Sequence, residues 1–107
     1  MSMVNPWRGE VMLRADGRTH TLRLSLGALA SLEAALEAEG LLDLADRIDR
    51  GGLRTREVIA ILAAGFQGAG QPVDTAAVAD MAIEGGAAEA SRVAIALMTA
   101  AFGVQPP

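Results

Sequence analysis

The stretch Gly9-Glu10-Val11-Met12-Leu13-Arg14-Ala15-Asp16-Gly17-Arg18-Thr19-His20-Thr21-Leu22-Arg23-Leu24 decides the fold. Two alternating segments flank Asp16-Gly17. A type I′ turn needs positive φ at both central residues, and Asp-Gly supplies it. With those two residues as the loop, Leu13 faces His20 and Val11 faces Leu22, and Leu24 joins them on one face. The other face carries Glu10 opposite Arg23, Met12 opposite Thr21 and Arg14 opposite Thr19. A slip of one residue would mix the two faces. The hairpin is therefore half-buried, with a Glu10–Arg23 pair worth ~0.5 kcal/mol on its solvent side. Two strands alone are marginal, so this ribbon (residues 9–24) must lie on the remainder of the chain.

That remainder, residues 26–102, reads as helices. Ser25 is an N-cap for a first helix from Leu26 to Glu39, with Leu29, Leu32 and Leu36 as its stripe and Gly40 as the residue that ends it. A second, short helix from Leu42 to Arg50 buries Leu44, Ala45 and Ile48 and stops at Gly51-Gly52. Thr55 then caps a third helix whose Val58, Ile59, Ile61, Leu62 and Phe66 point nearly all round. A helix apolar on every side is a buried one, so this helix is the expected centre of the domain. Gly68-Ala69-Gly70-Gln71-Pro72 reads as a loop. Asp74 caps a fourth helix running to Met81 or Ile83, Ile83-Glu84-Gly85-Gly86 breaks the chain, and a last helix spans Ala87 to Phe102. Residues 1–4 and 103–107 are expected to fray. The fold class is α+β, mostly α: an N-terminal hairpin on a compact bundle of four to five short helices, forming one domain over residues 1–107.

Composition narrows the function classes. The 107 residues suit one modest core, and 51% are apolar, which is globular. Alanine supplies 22 residues and aromatics only three, so the helices must pack closely through small side chains. All nine basic residues are arginine and the net charge is −4, which argues against a nucleic-acid partner. Arg8, Arg14, Arg18 and Arg23 cluster near the hairpin, but Glu10 and Asp16 lie among them, and a solvated face accounts for them. No cysteine is present, so thiol chemistry is excluded. The opening Met1-Ser2-Met3-Val4-Asn5-Pro6-Trp7 has no apolar run of the signal-peptide kind, and no apolar stretch reaches the ~18 residues of a membrane span. A cytoplasmic location is expected.

Catalysis needs a nucleophile with a base, a perturbed acid pair or a metal cluster. The one histidine, His20, sits on the inner hairpin face and reads as a packed structural residue. Without a second histidine or a thiol, a zinc site would rest on carboxylates alone. Asp43, Asp46 and Asp49 recur every third residue beside Arg47 and Arg50, which describes a solvated helix face as well as a weak acidic site. The pairs Gly51-Gly52 and Gly85-Gly86 fit no dinucleotide or phosphate-loop pattern and read as helix stops. The chain is read as non-catalytic, with no cofactor, metal or small-molecule substrate.

Two features point to protein contacts. Trp7, followed by Arg8, precedes the first strand; it either lids the core or anchors an interface. From Val93 onward there is no charge, and two apolar stripes coexist: Ile95, Met98 and Phe102 on one side, Val93, Leu97 and Ala101 on the other. Either this helix is sandwiched between others, or it exposes an apolar patch to a partner. Met98 and Met81 would suit an adaptable surface.

Asn5-Pro6-Trp7-Arg8-Gly9-Glu10-Val11, Leu22-Arg23-Leu24-Ser25-Leu26-Gly27-Ala28-Leu29-Ala30-Ser31-Leu32-Glu33, Thr55-Arg56-Glu57-Val58, Gly65-Phe66 and Met81-Ala82-Ile83-Glu84-Gly85-Gly86 together resemble the gene transfer agent tail protein family. These are small proteins of alphaproteobacterial gene transfer agents and related prophages, described either as a phage tail tube protein or as a tail assembly chaperone. The resemblance runs from about residue 5 to 102 and rests on order and residue type, not on a catalytic motif. It implies a part in building a phage-like tail, with the tape-measure protein and tail tube subunits as partners and self-association left open. Tube subunits of such tails are β-sandwich rings, which one hairpin and several helices cannot form, so the chaperone role is the expected one. A structural component retained in the particle is the alternative. A regulatory or antitoxin-like module that sets the arginines of the hairpin on nucleic acid is a second.

Overall fold

Asp16 and Gly17 take φ of 53° and 73°, the left-handed pair a type I′ turn requires. In this computed structural model, which describes residues 9–50 and 52–103 and omits the side chain of Ile48, they join β1 (Glu10–Ala15) to β2 (Arg18–Arg23). The register is the one the side chains dictate: Glu10 pairs with Arg23, Val11 with Leu22, Met12 with Thr21, Leu13 with His20 and Arg14 with Thr19. Leu13, Ala15, Leu22 and Leu24 are buried on the inner face, with Val11 and His20 half-buried beside them.

Among the described residues the hairpin leads into five helices: α1 (Leu26–Ala35), α2 (Leu41–Asp49), α3 (Thr55–Gly68), α4 (Thr75–Ala79) and α5 (Gly86–Ala101). Ser25 caps α1 as expected, its Oγ accepting the Ala28 N–H at 3.1 Å. The helix ends a turn earlier than Gly40 suggests. Glu37 takes the left-handed conformation at φ 54°; the Ala38 N–H donates to Glu33 O at 2.8 Å and the Glu37 N–H to Ala34 O at 3.3 Å. That is a Schellman closure on a residue other than glycine, which turns the chain while Leu36 stays buried. On α2, Leu44 is buried and Ala45 half-buried. The expectations for Ile48, for Gly51, for Trp7 and Arg8, and for the chain ends at 1–4 and 104–107 lie outside the described residues.

The N-cap of α3 is Arg54, not Thr55, and its backbone N–H donates to the Glu57 carboxylate at 2.8 Å. As its apolar circumference demands, α3 is the centre: Val58, Ala60, Ile61, Leu62, Ala64, Gly65 and Phe66 are buried, and α1, α4, α5 and β2 all pack on it. Gly68, expected in a loop, is the last residue of this helix. A β-carbon there would collide with the Arg23 carbonyl, so α3 crosses the end of β2 at a distance only glycine permits. Asp74 caps α4 through the Ala77 N–H at 2.8 Å, but the helix stops at Ala79 and reaches neither Met81 nor Ile83. The Met81 N–H donates back to Val78 O at 3.1 Å, while Ile83 is bridged to the hairpin.

Candidate functional site

The segment after α4 lies along the tip of the hairpin. Ala15 and Ile83 form an antiparallel bridge; the Asp16 N–H donates to Ala82 O at 2.9 Å, and the Glu84 N–H to Arg14 O at 3.0 Å. The Asp16 carboxylate adds a bond from the Ala82 N–H at 2.9 Å. Above this clasp, Arg14 Nε donates to Glu84 at 2.7 Å and its Nη1 to Thr19 Oγ1 at 2.6 Å. Gly85 and Gly86, at φ of 90° and 68°, then turn the chain into α5. The break read as a helix stop is thus a fragment of a third strand. Sequence alone carries no sign of it, because one rung is too short for period-two alternation.

On α5 the residues expected at a partner surface divide. Val93 and Leu97 are 0% exposed and Met98 is 1%, so these three pack the interior and offer no surface in this fold. The helix is sandwiched along that side between α3 and the hairpin. Ile95 keeps 40% of its surface and Phe102 is half-buried, leaving these two accessible. Met98 is therefore core, whereas Met81 is half-buried and lines a cleft of about 200 Å3 with Leu53, Val58, Ile59 and Ile83. At the start of α5, Arg92 grips Glu89 with bonds of 2.8 and 2.6 Å. The hydrogen bonds from Arg92 hold the Glu89 carboxyl below its ordinary pKa and raise the guanidinium in return.

Sequence reasoning missed the most exposed apolar side chains, Leu26 at 82% and Leu42 at 88%. Both are in first turns and off the buried stripe of their helix, which is the signal that marks them. Two of the three aspartates of α2 are occupied with neighbours. Asp43 accepts the Glu39 N–H at 3.0 Å and lies 3.4 Å from Arg47, and Asp46 lies 3.3 Å from Arg50. The backbone bond from Glu39, helped by Arg47, lowers the pKa of Asp43. Arg47 also reaches Glu57 at 3.5 Å, tying α2 to the start of α3. His20 sets its ring edge-on to Phe66, centroids 5.1 Å apart, a packing contact. Among the described residues no three histidine, aspartate or glutamate side chains come together as metal ligands, and no helix is long and apolar enough to cross a membrane.

The fold and its surface define a small α+β protein whose open features are apolar side chains at helix starts and one strand edge, the kind of surface that meets other proteins. The family model described as phage tail tube protein, GTA-gp10, matches residues 8–104, and the chain belongs to that family of phage tail proteins. No curated protein and no solved structure matches the chain.

Proposed function

We propose that this protein is a non-catalytic assembly protein of a phage-like tail that holds the tape-measure protein and tail tube subunits before they polymerise. The observation that carries this reading is the sheet. Among the described residues it has two strands and one isolated bridge, while a β-sandwich wall needs two packed sheets. The exposed Leu26, Leu42 and Ile95, with half-buried Phe102, supply apolar surface suited to an amphipathic helix of a partner. Trp7 and Arg8, outside the described residues, are proposed as partner contacts on sequence grounds alone. Co-expression with the tape-measure product tests the reading: a soluble complex is expected. Equal insolubility of that product with and without this chain contradicts it.

A second reading, a component retained in the finished tail, is favoured by the family's own description as a tail tube protein. It differs in one measurable respect, the number of copies in the particle.

A further inference from the structure

Of the six aspartates in the chain, Asp16 alone is followed by glycine. Such a pair carries its own reaction. The peptide nitrogen of the glycine, unshielded by a β-carbon, attacks the aspartate Cγ and closes a succinimide ring; the N–H proton and the carboxyl hydroxyl leave as water. Water then reopens the ring. Addition at Cγ restores aspartate. Addition at the old main-chain carbonyl breaks its bond to nitrogen and leaves isoaspartate, with the chain running through Cβ and Cγ. Nothing is oxidised or reduced, and the only co-reactant is solvent. The hairpin tip is open to it: Asp16 and Gly17 are both exposed, and a β-carbon on Gly17 would meet nothing within 4 Å.

What stands against the reaction is the clasp with residue 82. Ring closure needs the carboxyl to fold back onto its own following peptide, yet Asp16 Oδ1 is engaged elsewhere, accepting the Ala82 N–H at 2.9 Å. The main chain is fixed as well. The Asp16 N–H donates to Ala82 O at 2.9 Å, and the paired Ala15 and Arg18 hold the two left-handed residues between them. We propose that Asp16-Gly17 is a site of aspartate isomerisation that Ala82 holds in check. It reacts only in molecules whose clasp has opened locally, and its product does not refasten. Isoaspartate adds one carbon to the main chain of a two-residue turn and sets its carboxylate directly on Cα, one bond short of its former reach. Both bonds to Ala82 are then lost, and with them the seat of the Ala15–Ile83 bridge and of the Arg14–Glu84 pair. The modification thus frees the connection between α4 and α5 from the hairpin, in one direction only.

The site is independent of the tape-measure reading, and its test uses the full chain without a partner. The protein is held at neutral pH and physiological temperature, folded in buffer or unfolded in urea. Isoaspartate at position 16 is followed by peptide mapping with electron-transfer fragmentation, which tells the two isomers apart. It should form at least about tenfold faster in the unfolded chain. Across urea concentrations below unfolding, the rate in the folded protein should rise in step with amide exchange at Ala82, whose N–H the carboxylate holds. Ala82→Pro deletes that N–H and should bring the folded rate toward the unfolded one. In protein already carrying isoaspartate, exchange at Ala82 and Glu84 should quicken while Leu22, farther along the hairpin, keeps its protection. Equal rates in the folded and unfolded chains overturn the proposal, as does a folded rate that stays level while Ala82 exchange rises. Isoaspartate protein with parental exchange at Ala82 overturns the release.

Discussion

Asp16 and Ala82, 66 positions apart, bond to each other twice: the Asp16 N–H donates to the Ala82 carbonyl and the Ala82 N–H to the Asp16 carboxylate, each at 2.9 Å. One aspartate thus shapes the turn through its positive φ and fastens that turn to the far half of the chain. Asp16→Ala removes the carboxylate and leaves a β-carbon residue less suited to the left-handed region. It should cost about 1.5 kcal/mol by urea unfolding, whereas Asp16→Asn, which keeps an acceptor and tolerates that region, should stay within about 0.5 kcal/mol of the parent.

The approach of α3 to β2 gives a second prediction. A β-carbon at Gly68 meets the Arg23 carbonyl and the Ser25 amide, both backbone; at Gly65 it meets Leu97 and Leu22 side chains at 3.0 and 3.1 Å. Backbone cannot give way as side chains can. Gly68→Ala should therefore destabilise by about 3 kcal/mol or more. Gly65→Ala should lose about 1 kcal/mol, since better helix propensity offsets part of the crowding. Thermal unfolding of the two variants side by side measures the order.

Glu37 is an exposed residue held at φ 54° to close α1. Glycine adopts that conformation without the β-carbon penalty, so Glu37→Gly should raise stability by about 1 kcal/mol. Glu37→Ala should bring no such gain. Denaturant midpoints at constant slope read the difference.

Asp43 and Glu89 both have their pKa lowered in the fold, the first mainly by the Glu39 N–H and the second by Arg92. A carboxyl whose folded pKa lies below its unfolded one adds stability that is complete above the unfolded value and is lost as pH falls through the folded one. The melting temperature should therefore fall as pH drops through and below the ordinary carboxylate range. Asp43→Asn and Glu89→Gln should each flatten part of that fall. Carboxyl carbon shifts across the titration should place the Asp43 midpoint below that of an ordinary aspartate and the Glu89 midpoint below that of an ordinary glutamate.

The parts of the fold carried by local pattern were legible in the residues. The hairpin register follows from Asp16-Gly17 and the alternation around it, and the central helix from its apolar circumference. What was not legible depends on pairs remote in sequence. Gly68 looks like a loop glycine until Arg23 stands behind it, and Ile83–Glu84 looks like a break until the hairpin tip pairs with it. The early end of α1 was hidden because Glu37 is not the residue type that announces a left-handed turn. On the candidate surface, two apolar stripes on α5 had two explanations. The packing of Val93 and Leu97 between α3 and the hairpin fills one of the stripes from within, while Ile95 stays outside.

The central claim, an assembly protein that is not part of the tube wall, is tested most directly by counting this chain in purified particles by quantitative mass spectrometry against the other tail proteins. An assembly protein should be absent, or present far below the abundance of the tube subunits. Many copies per particle, in proportion to those subunits, would contradict it.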